Sequence, residues 1–278
     1  MLSGNMTTMS DSSPFDPALL VANDPPPFTQ LNPEGGSRFL FTCDHASRAV
    51  PSHMKGLGLA AGDLSRHIAW DIGAALVTRH LSERLDAPAF LAGYSRLVID
   101  CNRPLTSPTS IPPVSDGSQI PANRAVSAAE AAARAEALFW PYHRQTAGAL
   151  DRLIAGGEIP LFVAVHSFTP QLSGGEARPW HIGLLWEHDG RLVAPLQAAF
   201  SALVPGICIG NNEPYAIVGP SDYSIPEHAQ KRGLPHIEIE IRQDLIASPE
   251  GAELWAERVA EALETALTDH GPFEILAR

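Results

Sequence analysis

Three apolar runs in this chain stop abruptly on polar side chains, and that narrows the fold more than any other feature. Arg38 to Cys43, RFLFTC, runs straight into Asp44-His45-Ala46-Ser47-Arg48. Pro160 to Val165, PLFVAV, ends on His166-Ser167-Phe168. His236 to Ile241, HIEIEI, alternates strictly and gives way to Arg242. Short apolar runs between punctuating residues read as buried strands. Open α/β sheets collect their sites just beyond the carboxyl ends of such strands. Further runs at 89–92, 97–99, 180–186 and 206–210 also read as strands.

Helical spacing separates these runs. Asp63 or Ser65 can cap a helix to about Leu85, which would place His67 and Asp71 on one face. Ser127-Ala-Ala-Glu130 is a capping box opening an alanine-rich helix to about Ile154, stopped by Gly156-Gly157. Residues 191–204 read as helical, and Ser248-Pro249 starts a last helix to about Leu267. Strands alternating with helices predict one α/β domain over 37–278, a three-layer α/β/α arrangement with a mostly parallel or mixed central sheet. Residues 1–36, rich in Ser, Asn, Asp and Pro, read as a flexible start followed by an extended segment. The proline-rich stretch 104–126 is a long irregular loop.

Charge and cysteine content bound the partners. Nineteen basic and 31 acidic side chains leave a net charge of −12, which argues against nucleic acid or an anionic membrane surface. There is no run of 18 apolar residues and no leader-like start, so a soluble, cytoplasmic protein is expected. The three cysteines, Cys43, Cys101 and Cys208, form no C-x-x-C pair, which fits a reducing compartment. Two of them lie in or against apolar strands, where a thiol is ordinarily inert filler.

The chemistry-bearing residues stand at the strand ends. His45 and His166 each follow an apolar strand, and with Asp71 they make a plausible three-ligand zinc set, with Asp44 and His67 as rival ligands. Glu238 and Glu240, two apart on a strand, point to one face. A glutamate on a partly buried face has a raised pKa and suits a general base. Arg242 continues that face and could pair with a glutamate or bind substrate. In Tyr94 to Pro104, YSRLVIDCNRP, the residues Arg96, Asn102 and Arg103 flank a short apolar run. They could grip a substrate carboxylate by two hydrogen bonds, or Asp100 could pair with an arginine to lock the strand end. No G-x-S-x-G, G-x-G-x-x-G or G-x-x-x-x-G-K-[ST] pattern is present, so a serine nucleophile elbow and a phosphate cradle have no support.

CDHASRAVP at 43–51, HIAWDIGA at 67–74, YSRLVIDCNRP at 94–104, HSF at 166–168, WHIG at 180–183 and HIEIEIRQDL at 236–245 together resemble the N-formylglutamate amidohydrolase family. The resemblance implies hydrolysis of N-formyl-L-glutamate to formate and glutamate, a late step of histidine breakdown. It also implies a phosphorylase/hydrolase-like fold of the zinc carboxypeptidase and aspartoacylase group. On that likeness, His45, His166 and Asp71 hold Zn2+, and Glu240 or Glu238 activates water. Arg96 with Asn102-Arg103 clamps the carboxylate of a small N-acyl amino acid. In the wider group the carboxylate ligand stands three residues after the first histidine, a position that holds Arg48 here, so Asp71 replaces it. The competing expectations are a deacylase or carboxypeptidase-like hydrolase for another N-acyl amino acid or small peptide, and a non-catalytic carboxylate-binding protein.

Overall fold

The computed structural model describes residues 19–218 and 221–276. The flexible start expected at the amino terminus lies largely outside the described residues. The extended segment expected after it contains β1, Phe28–Leu31, which the sequence did not announce as a strand. In chain order follow β2 (Phe39–Cys43), α1 (Ala74–Arg84), β3 (Ala89–Ala92) and the small hairpin β4 (Val114–Ser115) and β5 (Ser118–Gln119). Next come α2 (Ala128–Arg134), α3 (Trp140–Ala155), β6 (Leu161–Phe168), β7 (Ile182–Leu185) and α4 (Val193–Leu203). β8 (Ile209–Asn211), β9 (His236–Arg242) and α5 (Pro249–His270) complete the chain.

Seven strands form one mixed sheet in the order β1-β3-β2-β6-β9-β7-β8. β2, β3, β6 and β9 run parallel, whereas β1 against β3 and β7 against β9 are antiparallel. Side-chain alternation then sorts the core into two layers. Phe41, Val163, Ile237 and Ile239 face α1, α4 and α5, where Val77, Phe200, Trp255, Val259 and Leu263 cover them. Leu40, Phe90, Phe162 and Ala164 face Tyr142 and Leu150 of α3 and Ile225 of the 225–229 turn. Each fully buried side chain of this size contributes about 1.5–3 kcal/mol. The α/β architecture expected from the alternating runs is therefore the one observed.

Two local expectations need correction. The helix expected from Asp63 begins only at Ala74, after a short turn at Asp63–Ser65. Gly73 sets that start, because its φ of 85° breaks any helix arriving from upstream. His67 and Asp71 consequently share no helix face. A side chain at Gly73 would also collide with the Ile246 carbonyl. Gly73→Ala should therefore lower unfolding stability by about 2–4 kcal/mol in urea titration.

The second correction concerns Leu97, Val98 and Ile99, which are buried but not in a strand. They pack into a separate apolar cluster with Ile68, Leu138 and Phe139. Ser95 takes up the Leu97 and Val98 N–H groups, and distant side chains rather than a neighbouring strand take up the carbonyls. Asn123 Nδ2 donates to the Leu97 carbonyl, and Arg134 Nη1 donates to the Val98 carbonyl. Arg134 is fully buried, and its charge is answered by Glu130 Oε1 at 2.6 Å. The Ser127 cap behaves as expected: its side chain accepts from Glu130 N.

Candidate active site

At the carboxyl edge of β2, β6 and β9 the apolar layer beneath α3 gives way to polar side chains. Register explains why. Ala164 pairs with Glu238 and His166 with Glu240, so His166 and both glutamates share one face of the sheet. β2 ends one strand over, where Asp44 and His45 follow Cys43. Asp71 is delivered by the turn ahead of α1, whose Asp71 N–H donates to the His45 carbonyl at 2.9 Å. All six of these carboxylate and imidazole groups are buried, and all but Asp44 open slightly into a cavity of about 660 Å3.

Two imidazoles converge on one carboxylate oxygen. His45 Nδ1 lies 3.2 Å and His166 Nδ1 2.9 Å from Asp71 Oδ2. One donor atom from each residue fits within a 4.8 Å cluster, the only such group among the described residues. The far nitrogen of each ring also faces a carboxylate. His45 Nε2 lies 2.7 Å from Asp100 Oδ1, and His166 Nε2 lies 3.4 Å from Asp44 Oδ2. Carboxylates behind metal-binding imidazoles fix ring orientation and raise ligand basicity. These three residues therefore suit a divalent ion such as zinc, which takes nitrogen and oxygen donors in sets of three at hydrolytic sites.

The rival ligands have other partners. Asp44 Oδ1 accepts from the Tyr142 hydroxyl at 2.7 Å and the Ser224 hydroxyl at 2.8 Å, so Asp44 stands behind His166. His67 lies at the cavity rim, with Nε2 3.4 Å from Asp116 Oδ2. Asp116 ties the rim together, accepting from Arg66 Nη2 at 3.0 Å and from the Ser173 hydroxyl at 2.9 Å.

Burial and charge set the protonation states. Burial pushes the Asp71 carboxyl up, but the flanking His45 and His166 hold it well below the usual carboxylate range. Burial likewise opposes ionisation of Asp44, and His166 outweighs it, giving a pKa of about 2. His166 is pushed down by burial and raised overall by Glu238, Asp44 and Asp71. Glu238 rises to about 7 and Glu240 rises well above its usual value, chiefly through burial. The Oε2 atoms of both glutamates are buried with no hydrogen-bond partner among the described residues. Burial pushes the Cys43 thiol up to about 12, which makes it the inert filler expected.

The arginines divide unequally. Arg96 donates to Asp100 Oδ2 through Nε at 3.0 Å and Nη2 at 2.7 Å, the internal pair considered from sequence. Its Nη1 reaches 3.3 Å from His45 Nδ1 and 3.7 Å from Asp71 Oδ1, so the same guanidinium borders the donor set. Arg103 Nη1 donates to the Asn102 carbonyl and to Asp222 Oδ1, both at 2.8 Å. Asn102 Oδ1 accepts from Tyr223 N and Ser224 N, holding the 222–224 turn against the cavity. Arg242 is a correction. Its guanidinium pairs with Asp244 and donates to the carbonyls of Arg178, Pro179 and Trp180, and it does not line the cavity. Strand alternation aligned it with the glutamates, but the strand ends there and the side chain turns to the neighbouring loop.

Sequence reasoning missed Asp222, Asp116 and Tyr215, all of which line the cavity. They sit in irregular segments, where no period announces a direction. Tyr215 follows a segment laid across two small residues. A side chain at either Gly183 or Gly210 would collide with the Glu213 carbonyl. Gly183 pairs in register with both Glu240 and Gly210, so this slot adjoins the glutamate directly.

Imidazoles and a carboxylate gathered at the edge of an α/β sheet, beside a buried glutamate, make a site suited to hydrolysis, and the family match below makes it that of a hydrolase acting on an amide C–N bond. Comparison with known proteins agrees. The N-formylglutamate amidohydrolase family model matches residues 37–247, and the chain belongs to that family. Among solved structures, the gene product Atu2144 of Agrobacterium tumefaciens is similar at 34% identity and a TM-score of 0.86, over 90% of this chain and 98% of that one. The N-formylglutamate amidohydrolase of Ralstonia eutropha JMP134 shares the fold at 18% identity and a TM-score of 0.60, over 87% of this chain and 97% of that one. A comparison with curated proteins finds no match. No helix among the described residues is long and apolar enough to cross a membrane.

The ring supports yield a prediction. Asp100→Asn should weaken metal affinity about 10- to 100-fold, because His45 loses the carboxylate behind Nε2. Competition with a chromogenic zinc chelator measures it.

Proposed function

We propose that this protein is a zinc-dependent deacylase that hydrolyses small N-acyl amino acids, with N-formyl-L-glutamate, the substrate in the family's name, as the reference compound. The observation that carries the reading is the convergence of His45 Nδ1 and His166 Nδ1 on Asp71 Oδ2, beside Glu240, whose Oε2 has no hydrogen-bond partner among the described residues. His45, Asp71 and His166 would hold the ion, which supplies Lewis acidity and lowers the pKa of a water toward about 7.

The chain's own groups do the rest. Glu240 takes a proton from the attacking water at a carboxylate oxygen and returns it to the departing amine nitrogen. Its burial raises its pKa, which favours uptake of the proton. The bonds balance: the amide C–N bond breaks, a C–O bond forms, and a carboxylate and a free amine leave. Arg96 is fixed to Asp100 and borders the donor set, which supports a role for its Nη1 in stabilising charge developing on the acyl oxygen. Arg103 spends only Nη1 on the described residues, which leaves Nε and Nη2 for one substrate carboxylate. Glu238, a rung deeper and 4.0 Å from His166 Nε2, supports that imidazole. The three free cysteines support a reducing setting such as the cytoplasm for this reading.

Chelation tests this directly. Dialysis against a strong chelator should abolish release of formate, and stoichiometric zinc should restore it. Full turnover by protein carrying less than a tenth of an equivalent of metal would remove the reading.

A further inference from the structure

Asn102 touches the supports of both imidazoles and of the Arg103 fork, each with a different atom. Its backbone N–H donates at 2.9 Å to Asp100 Oδ1, the oxygen that lies 2.7 Å from His45 Nε2. Its side-chain Oδ1 accepts from Tyr223 N at 3.0 Å and from Ser224 N at 2.9 Å. Its Nδ2 donates at 3.4 Å to Asp222 Oδ1, the atom that also accepts from Arg103 Nη1. These neighbours fix which way the amide points. Only its oxygen can accept from two N–H groups, and only its nitrogen can donate to a carboxylate. Both lone pairs of Oδ1 are used inside the protein, so that oxygen is not free to grip a substrate.

The two ends of the amide lead to different working groups. Ser224, held by Oδ1, donates its hydroxyl to Asp44 Oδ1 at 2.8 Å, and Asp44 Oδ2 lies 3.4 Å from His166 Nε2. Asp222, met by Nδ2, anchors the Arg103 guanidinium at 2.8 Å. The surroundings are braced on both sides. The Tyr223 ring packs with its centroid 4.8 Å from that of Phe139 and 4.6 Å from that of His143. His143 Nε2 in turn donates to the Cys101 carbonyl at 2.9 Å. One imidazole thus steadies both the residue before Asn102 and the turn that Asn102 holds.

Resting on the deacylase reading, we propose that Asn102 is a positioning residue for both halves of the site: its oxygen sets the His166 support through Ser224 and Asp44, and its nitrogen sets the Arg103 fork through Asp222. The halves are separable because they leave from different atoms of one amide. Asn102→Asp keeps an oxygen for the two N–H groups, loses the donor, and sets a carboxylate against Asp222 and the fork. Ser224→Ala cuts the path to Asp44 and leaves the contacts of Asn102 with Asp222 in place. Neither change touches the Asn102 N–H that supports Asp100, so the His45 side stays constant across the series.

The experiment measures zinc affinity by competition with a chromogenic chelator, and KM for N-formyl-L-glutamate on zinc-loaded protein. Ser224→Ala should weaken zinc binding at least about 5-fold, with KM of the loaded protein within about 2-fold of native. Asn102→Asp should raise KM at least about 5-fold, with zinc affinity within about 3-fold of native, because the new carboxylate competes with the substrate's for the fork. Asn102→Ala should show both losses, and adding Ser224→Ala to it should weaken zinc binding by less than about 2-fold more. If Asn102→Ala does not fold, the two milder variants decide alone. Native zinc affinity in Ser224→Ala overturns the His166 half, and native KM in Asn102→Asp overturns the Arg103 half. Both losses in both of these variants would overturn the proposal and make Asn102 a packing residue only. A native chain that binds zinc yet turns over no small N-acyl amino acid overturns the deacylase reading and the Arg103 half with it, while the chelator measurement still decides the His166 half.

Discussion

Glu240→Gln is expected to lower kcat by about 10²- to 10⁴-fold while zinc content stays at that of the native protein. Glutamine keeps the size and the hydrogen-bonding capacity of the side chain but cannot take up a proton. The loss should therefore appear in turnover and leave the fold and the donor set intact. Glu240 is opposite His166 in the ladder, whereas Glu238 is opposite Ala164 and one rung further from the sheet edge. Glu238→Gln should consequently act through His166, lowering metal affinity more than turnover of the loaded protein. A variant series in which Glu238→Gln abolishes turnover at full metal occupancy, with Glu240→Gln near normal, would exchange the two roles. Steady-state kinetics beside elemental analysis separates them.

Arg103→Lys should cost about 2–5 kcal/mol in kcat/KM, roughly 30- to 5,000-fold. An ammonium can replace one contact, but it cannot bond Asp222 and the Asn102 carbonyl while also presenting two donors to a carboxylate. The loss should be much smaller for substrates whose α-carboxylate is amidated, because they never engage the fork. Native kinetics in Arg103→Lys, with the carboxylate substrate, would make Arg103 a structural partner of Asp222 and nothing more.

Sequence reading found the strand-borne half of this site and misjudged the loop-borne half, for physical reasons. His45, His166, Glu238 and Glu240 follow from local rules, since an apolar run fixes the strand and alternation fixes the face. The Ser127 and Ser248 caps are equally local, each satisfied within three residues. Leu97 to Ile99 looked like a strand because its burial is real. What holds its carbonyls is Asn123 and Arg134, and nothing within the segment announces partners that far away. The helix expected from Asp63 failed at one residue, Gly73, whose positive φ periodicity cannot reveal. β1 lay hidden after a proline run and is defined only by its pairing with β3. Asp222 could have been noticed as an acid close to a tyrosine and a serine in a polar loop, yet its role depends on Arg103, 119 positions earlier.

The slot formed by Gly183 and Gly210 makes the substrate range evolvable from the β7–β8 end of the sheet. The Glu213 carbonyl rests on both glycines, and Tyr215 enters the cavity wall two residues later. A methyl group at either glycine would lift that segment and reshape the wall while leaving every donor atom of His45, Asp71 and His166 untouched. Selection for new acyl or side-chain tolerance should therefore return alanine and serine at these two positions before it returns changes among the polar residues.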